Sequence, residues 1–355
     1  MSFFHRKIQR YHRDPRARSN ARRDPEPVLV GRAGFFASIA MAFCGIAIGA
    51  TCVYIGGKGA QVRAAKQTHQ LPLRDAEHFS PATAFSTRAR YVNQIIGAAA
   101  GDRIAPSNEQ RLQPPIIFSD TPKIILIFDD MGVSQTSFDT IMSFPGPVTF
   151  SFLPYANNVQ QMADRASARG DAVMLHLPME PVGNADPGPD SLNANMSRSQ
   201  ILKTLDKNLG RFSGYIGVNN HMGSAFTADR SRMKTVLGAL KREDLFFLDS
   251  LTTSKSVVQN VGQRIGIPIF QRDVFLDPDL DSKTIFKQLE LVERIAKETG
   301  FAVAICHPRK NTIDVIGPWL TSAPARGFEL ATITALQEAD EKLRTKEIGP
   351  IAIRG

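Results

Sequence analysis

The sequence predicts an α/β fold, a parallel (β/α) barrel of seven or eight strands, preceded by one transmembrane helix. Three observations carry that expectation. Beyond Thr121, short β-rich runs alternate with amphipathic stretches, the pattern of repeated βα units. Asp129, His176, Asn219, Asp249 and His307 each fall at or just past the C-terminal end of a different predicted strand, and barrels of this kind gather their sites on that one face. An uncharged run from Ala33 to Gly57 stands apart from the rest. The second observation favours a barrel over an open doubly wound sheet, which the alternation alone would also allow.

The 355 residues suit roughly two units. Hydrophobic residues at 43% and charged residues at 22% are those of a folded chain, which excludes wholesale disorder, collagen-like repeats and a multi-span membrane protein. The net charge of +9 is local. Residues 1–66 hold 12 of the 43 Lys/Arg and 3 of the 34 Asp/Glu, so residues 67–355 balance at 31 of each. Without a basic face on the folded part, nucleic acid is excluded as a partner. Cys44 and Cys52 lie in the apolar run, and Cys306 belongs to the folded part as a small buried hydrophobe, so no disulfide framework is expected.

Residues 33–57 are long enough to cross about 30 Å of hydrocarbon as a helix, and their glycines and alanines are tolerated there. Nine Lys/Arg lie among residues 1–32, which predicts a cytoplasmic basic tail, an inner-membrane span and a periplasmic remainder. Residues 58–120 mix Ala, Gln, Arg, Pro and Ser with no sustained period and read as a largely unstructured linker, with a short helix within Thr87–Ala100.

The folded domain is then 121–350. Its expected strands are Ile124–Phe128, Val148–Leu153, Ala172–Leu177, Tyr215–Val218, Leu245–Leu248, Pro268–Phe270, Ala302–Cys306 and Phe328–Ile333. Between them, Ser197–Leu209 places Ile201, Leu202, Leu205 and Leu209 on one side of a helix. Ser282–Glu298 does the same with Ile285, Leu289, Val292 and Ile295.

The chemistry-bearing residues stand at the strand ends. Asp129 and Asp130 close an apolar strand, and neighbours there point in different directions, so one carboxylate can hold a cation while the other acts as a base. Asp130, His176 and His221 together form an N/N/O set suited to a divalent metal, zinc above all, with positions left for water and substrate. His307 ends a late strand on the same rim and is placed to donate a proton. Asp249 either orients that imidazole or caps the next helix. Asn219, Asn220, Glu180 and Asp249 make up the expected substrate-binding set.

These motifs resemble the divergent polysaccharide deacetylases, a bacterial envelope branch of the polysaccharide deacetylase superfamily. Ile127-Phe128-Asp129-Asp130 is similar to the Thr-Phe-Asp-Asp motif of the ordinary deacetylases, which implies Asp129 as base and Asp130 as metal ligand. His176 matches the first histidine of their His-x-x-x-His motif, and Glu180 stands where the second belongs. Asn219-Asn220-His221-Met222-Gly223-Ser224 resembles the divergent branch's own signature, with His221 restoring the missing imidazole. Phe247-Leu248-Asp249-Ser250 resembles the fourth motif without its Trp, and Ile305-Cys306-His307 the terminal Leu-x-His, which implies His307 as acid. The resemblance implies a membrane-anchored periplasmic hydrolase that uses a divalent metal to deacetylate an N-acetylated envelope glycan, in contact with the inner membrane and other envelope proteins. The alternative is an inactive glycan-binding or scaffolding protein that keeps the same barrel.

Overall fold

The protein is described here from a computed structural model, for residues 88–89, 92–97 and 121–347. All of these lie within one compact unit, Leu71–Gly355. The predicted span 33–57 and the basic tail 1–32 lie outside the described residues. Among the described residues no helix is long and apolar enough to cross a membrane.

Nine strands form one sheet: β1 (Lys123–Met131), β2 (Thr149–Phe152), β3 (Ala172–Met179), β4 (Gly217–Met222), β5 (Phe246–Asp249), β6 (Ile269–Gln271), β7 (Val274–Phe275), β8 (Phe301–Cys306) and β9 (Glu329–Ala331). The path runs β6-β5-β4-β3-β2-β1-β8-β7, and β9 pairs with the early half of β1. Every strand pairing is parallel.

The sheet curls into a barrel-like shell that hydrogen bonding does not close at one seam. Its two path ends, β6 and β7, are consecutive in the chain, and Arg272-Asp273 carries the backbone across. The Arg272 N–H donates to the Asp249 carbonyl on the β5 side at 3.1 Å, and the Asp273 N–H to the Val303 carbonyl on the β8 side at 2.9 Å. The doubly wound alternative is thereby replaced by a curled sheet. The two-residue strand β7, paired with Ala304 and Ile305, adds to the strands expected from the sequence.

Strand burial explains why the runs are almost continuously apolar. Ile124, Leu126 and Phe128 pack outward under the helices, whereas Ile125 and Ile127 join Met174, Leu248, Val303 and Ile305 in a second core built almost wholly from strands, the lumen of the shell. Both faces of a parallel strand are covered, so both must be apolar.

Helices wrap the outside: α1 (Gln135–Met142), α2 (Val159–Arg169), α3 (Arg198–Leu209), α4 (Arg230–Arg242), α5 (Val258–Ile265), α6 (Ser282–Thr299), α7 (Lys310–Ser322) and α8 (Thr334–Glu347). The two helices read from periodicity start where their caps dictate. Ser197 and Gln200 form a reciprocal capping box before α3, and the Asp281 carboxylate accepts from the Thr284 N–H before α6.

Within the stretch read as linker, residues 88–89 and 92–97 are helical. Val92 and Ile95 join the core, and the buried Arg88 guanidinium pairs in a fork with Asp273 at 2.8 Å on each arm while lying 3.7 Å from the Phe301 ring centroid.

Candidate metal centre

Period-two alternation carries the lumen face straight into the site. With Ile125 and Ile127 facing inward, Asp129 follows on the same face; Met174 leads in the same way to His176, Gly217 to Asn219 and His221, and Val303 and Ile305 to His307. Asp130 has the wrong parity for this face. It reaches the site because the β1 register shifts between Phe128 and Met131 and its backbone takes a left-handed φ of 55°. A bulge of this kind re-aims a side chain at the cost of local strain, which for a residue with a Cβ is of order 1–3 kcal/mol. The same left-handed backbone recurs at Met222 (φ 53°), the last residue of β4, and at Leu251 (φ 49°), just past the end of β5.

Three ligand atoms converge there. Asp130 Oδ1 lies 2.7 Å from His221 Nδ1 and 3.2 Å from His176 Nε2, and the two ring nitrogens are 3.2 Å apart. They form the group among the described residues that could hold a metal ion. Asp130 Oδ1 is buried yet has no well-aligned hydrogen bond, although two imidazoles stand within contact of it. A buried carboxylate oxygen left unpaired beside two ring nitrogens fits ligand atoms aimed at a common point. Bonds of about 2.0–2.2 Å to a tetrahedral zinc would set its ligands roughly 3.4 Å apart, close to the observed spacing.

Asn219 organises this set from below. It is fully buried, and its Nδ2 donates to Asp129 Oδ1 at 2.8 Å and to Ser250 Oγ at 3.1 Å. The amide is therefore oriented with Oδ1 toward His176, where it accepts from Ser151 Oγ at 2.5 Å and lies 2.8 Å from His176 Nδ1. His176 Nδ1 thus carries the proton, leaving the Nε2 lone pair facing Asp130.

The charges reinforce one another. Burial works against the Asp130 carboxylate, but the adjacent His176 and His221 outweigh it and hold its carboxyl well below the usual range. Burial pushes the Asp129 carboxyl up, against the pull of His176, His307 and the Asn219 hydrogen bond. For His307, burial disfavours the imidazolium, yet Asp277 together with Asp129 and Asp130 raises it above its ordinary value.

His307 stands across the site, its Nε2 3.8 Å from Asp130 Oδ2. The fully buried Asp277 fixes its ring: Asp277 Oδ1 is 3.0 Å from His307 Nδ1, and Oδ2 accepts from the His307 N–H at 3.0 Å and from Thr312 Oγ1 at 2.9 Å. Sequence reading missed Asp277. The signal that points to it is Val274-Phe275-Leu276-Asp277, a short apolar run ending in a carboxylate like the other site strands.

The structure brings Asp129, Asp130, His176, His221 and His307 together and places the expected substrate-binding residues differently. Asn219 supports Asp129 and His176 from within the wall. Asn220 has the opposite parity and is also buried, its Oδ1 accepting from the Ser250 N–H at 3.0 Å and its Nδ2 donating to the Met222 carbonyl at 2.7 Å. Asp249, one step out of phase with the lumen-facing Leu248, accepts from the Leu251 N–H and from Ser256 Oγ, so it ties down its own loop and leaves His307 to Asp277. Glu180 accepts from the Ala194 N–H with its carboxylate and from the Ala225 and Phe226 N–H groups with its carbonyl, which knits the loops after β3 and β4.

Fold and site define the class: a curled parallel α/β domain whose C-terminal rim gathers an Asp/His/His set, with a second buried carboxylate and a carboxylate-supported imidazole beside it. The chain belongs to the divergent polysaccharide deacetylase family, whose model matches residues 126–337. An uncharacterized protein of Haemophilus influenzae is 33% identical over 204 residues, 57% of this chain and 72% of that protein. The uncharacterized protein YibQ of Escherichia coli is 29% identical over 202 residues, 57% of this chain and 63% of its own length. Among solved structures, an uncharacterized protein from Agrobacterium tumefaciens C58 is similar at 28% identity and a TM-score of 0.59, covering 63% of this chain and 92% of that one.

Proposed function

We propose that this protein is a metal-dependent hydrolase that removes an acetyl group from an N-acetylated envelope polysaccharide or related glycan, anchored in the inner membrane by residues 33–57 with its folded domain in the periplasm. The observation that supports this best is the convergence of Asp130 Oδ1, His176 Nε2 and His221 Nδ1, each from a different strand end, beside Asp129 and opposite His307.

Those three groups would hold the metal, zinc by the chemistry of an N/N/O set. When bound, such a metal polarises an acyl carbonyl and lowers the pKa of water. The remaining steps belong to the chain. Asp129, held by the Asn219 amide, accepts the proton from the attacking water. His307 keeps Nδ1 on Asp277, so Nε2 faces the site and protonates the departing amine. Asp277, with Asp129 and Asp130, favours the protonated form of this imidazole against its burial.

The test pairs metal analysis with acetate release from an N-acetylated glycan oligomer. Asp130→Ala is expected to lose bound metal, and Asp129→Asn to keep it while losing acetate release. Metal content unchanged by Asp130→Ala would remove the assignment. Glycan binding with no acetate released by the metal-loaded wild type would favour the scaffolding alternative.

A further inference from the structure

Arg272 sits at the seam between β6 and β7, which hydrogen bonding does not close, and its side chain reaches residues on both sides of it. On one side its Nε donates to the Ser250 carbonyl at 2.8 Å and its Nη2 to the Leu251 carbonyl at 3.0 Å. These carbonyls belong to consecutive residues, the second in the left-handed backbone noted above, so the guanidinium fork clamps a loop that would otherwise relax. That loop in turn holds the base side. Ser250 Oγ accepts from Asn219 Nδ2, and Asn219 fixes both Asp129 and His176.

On the other side the Arg272 guanidinium lies 5.3 Å from the Phe275 ring centroid, and the Phe275 ring meets the His307 ring edge-on at 5.5 Å and 80°. The loop after β5 and the strand β7 stand on opposite sides of the seam and share no sheet pairing there, with Arg272 contacting both, whereas Asp129 and His307 follow the paired residues Phe128 and Cys306 of the adjacent strands β1 and β8. The Arg272 backbone is held at 3.1 Å on the Asp249 carbonyl, so the side chain pivots from a fixed point.

We propose that Arg272 is a positioning residue that ties the loop after β5 to β7, supporting Asp129 and His176 through Ser250 and Asn219, and His307 through Phe275. This rests on the proposed hydrolase reading only where turnover is measured. The clamp itself is independent of substrate and metal. A lysine retains the charge but has neither the planar fork for two carbonyls nor the flat face for Phe275, so charge alone does not replace it.

The experiment follows the imidazole nitrogens of His176 and His307 by long-range ¹H–¹⁵N NMR in the folded, metal-free protein, alongside kcat and KM for acetate release from an N-acetylated glycan oligomer by the zinc-loaded protein. Arg272→Met is expected to shift or average the signals of both histidines and to lower kcat about 10- to 100-fold with KM within about threefold, as loss of an orienting contact does; Arg272→Lys is expected to recover neither. Ser250→Ala should disturb His176 alone and Phe275→Leu His307 alone. Arg272→Lys, which loses the fork but keeps the charge, carries the test if Arg272→Met does not fold. Folded Arg272→Met with either histidine unshifted, full recovery by lysine, or local variants that leave their own histidine unmoved would each overturn the proposal. A wild type without turnover removes the hydrolase reading and leaves the NMR result to decide the clamp.

Discussion

Replacing Asn219 with alanine tests the core of the site most directly. The amide has four partners, all buried: Asp129 and Ser250 as acceptors, Ser151 as a donor, and His176 Nδ1. A bond to a charged group contributes about 1.5–3 kcal/mol and a neutral one about 1, and partners left buried and unpaired add a desolvation cost, so the non-additive total comes to about 3–5 kcal/mol of folding stability. The second effect is chemical. Once freed, His176 can protonate Nε2 instead of Nδ1, which should lower metal affinity about 10- to 100-fold. Denaturant unfolding reads the first quantity and zinc titration against a competing chelator the second. Asn219→Asp separates the two roles, because it keeps an acceptor for His176 but sets a carboxylate against Asp129 at about 3 Å. That repulsion is roughly 5 kcal/mol at an effective dielectric near 20, enough to force a proton onto one of the pair. The aspartate variant should therefore bind zinc better than the alanine variant while having lost its base. Alanine at position 219 with wild-type zinc affinity would refute the idea that this amide sets the His176 tautomer.

Other substitutions probe the frame around that site. Asp277→Asn should leave metal content unchanged and lower kcat by about 10²-fold, because His307 loses the carboxylate that orients it and favours its imidazolium; steady-state kinetics with metal analysis checks this. Gly217→Ala would put a Cβ 2.3 Å from the Phe246 ring at the start of β4 and should cost about 1–3 kcal/mol, read as a lower denaturation midpoint. Arg88→Ala leaves the Asp273 carboxylate buried without its cation and should destabilise the domain by about 3–5 kcal/mol in the same assay, which would show that the segment before the domain is part of its fold. Burial pushes the Cys306 thiol well above its ordinary 9.0, so its protonated form is favoured in the native state. Native stability from this group is full below about pH 9.0 and falls as pH rises, when the unfolded thiol ionises first. Denaturation at successive pH values, with Cys306→Ala flattening the alkaline slope, measures it.

Much of this protein could be read from local pattern. Short apolar runs, helical periodicity and polar residues interrupting strand ends depend on neighbours within a few positions, and they located every strand but β7, the helices α3 and α6 and the five residues around the centre. Alternation within a strand even orders the lumen-facing set, because successive side chains point to opposite faces. What it did not reveal is partnership across the fold. Asp249 and Asp277 are both carboxylates near strand ends, and which of them supports His307 depends on register and on a two-residue strand that exists only by pairing with β8. Asn219 and Asn220 are adjacent and chemically identical, yet one faces the lumen and joins Asp129 to His176 while the other, turned outward, holds a loop. Asp130 required a bulge and a left-handed backbone to meet the histidines at all. Residue types and spacing thus determined the fold class and the chemistry on offer. Only the tertiary structure decided which buried polar atoms pair, because that depends on how strands distant in sequence come into register across the shell.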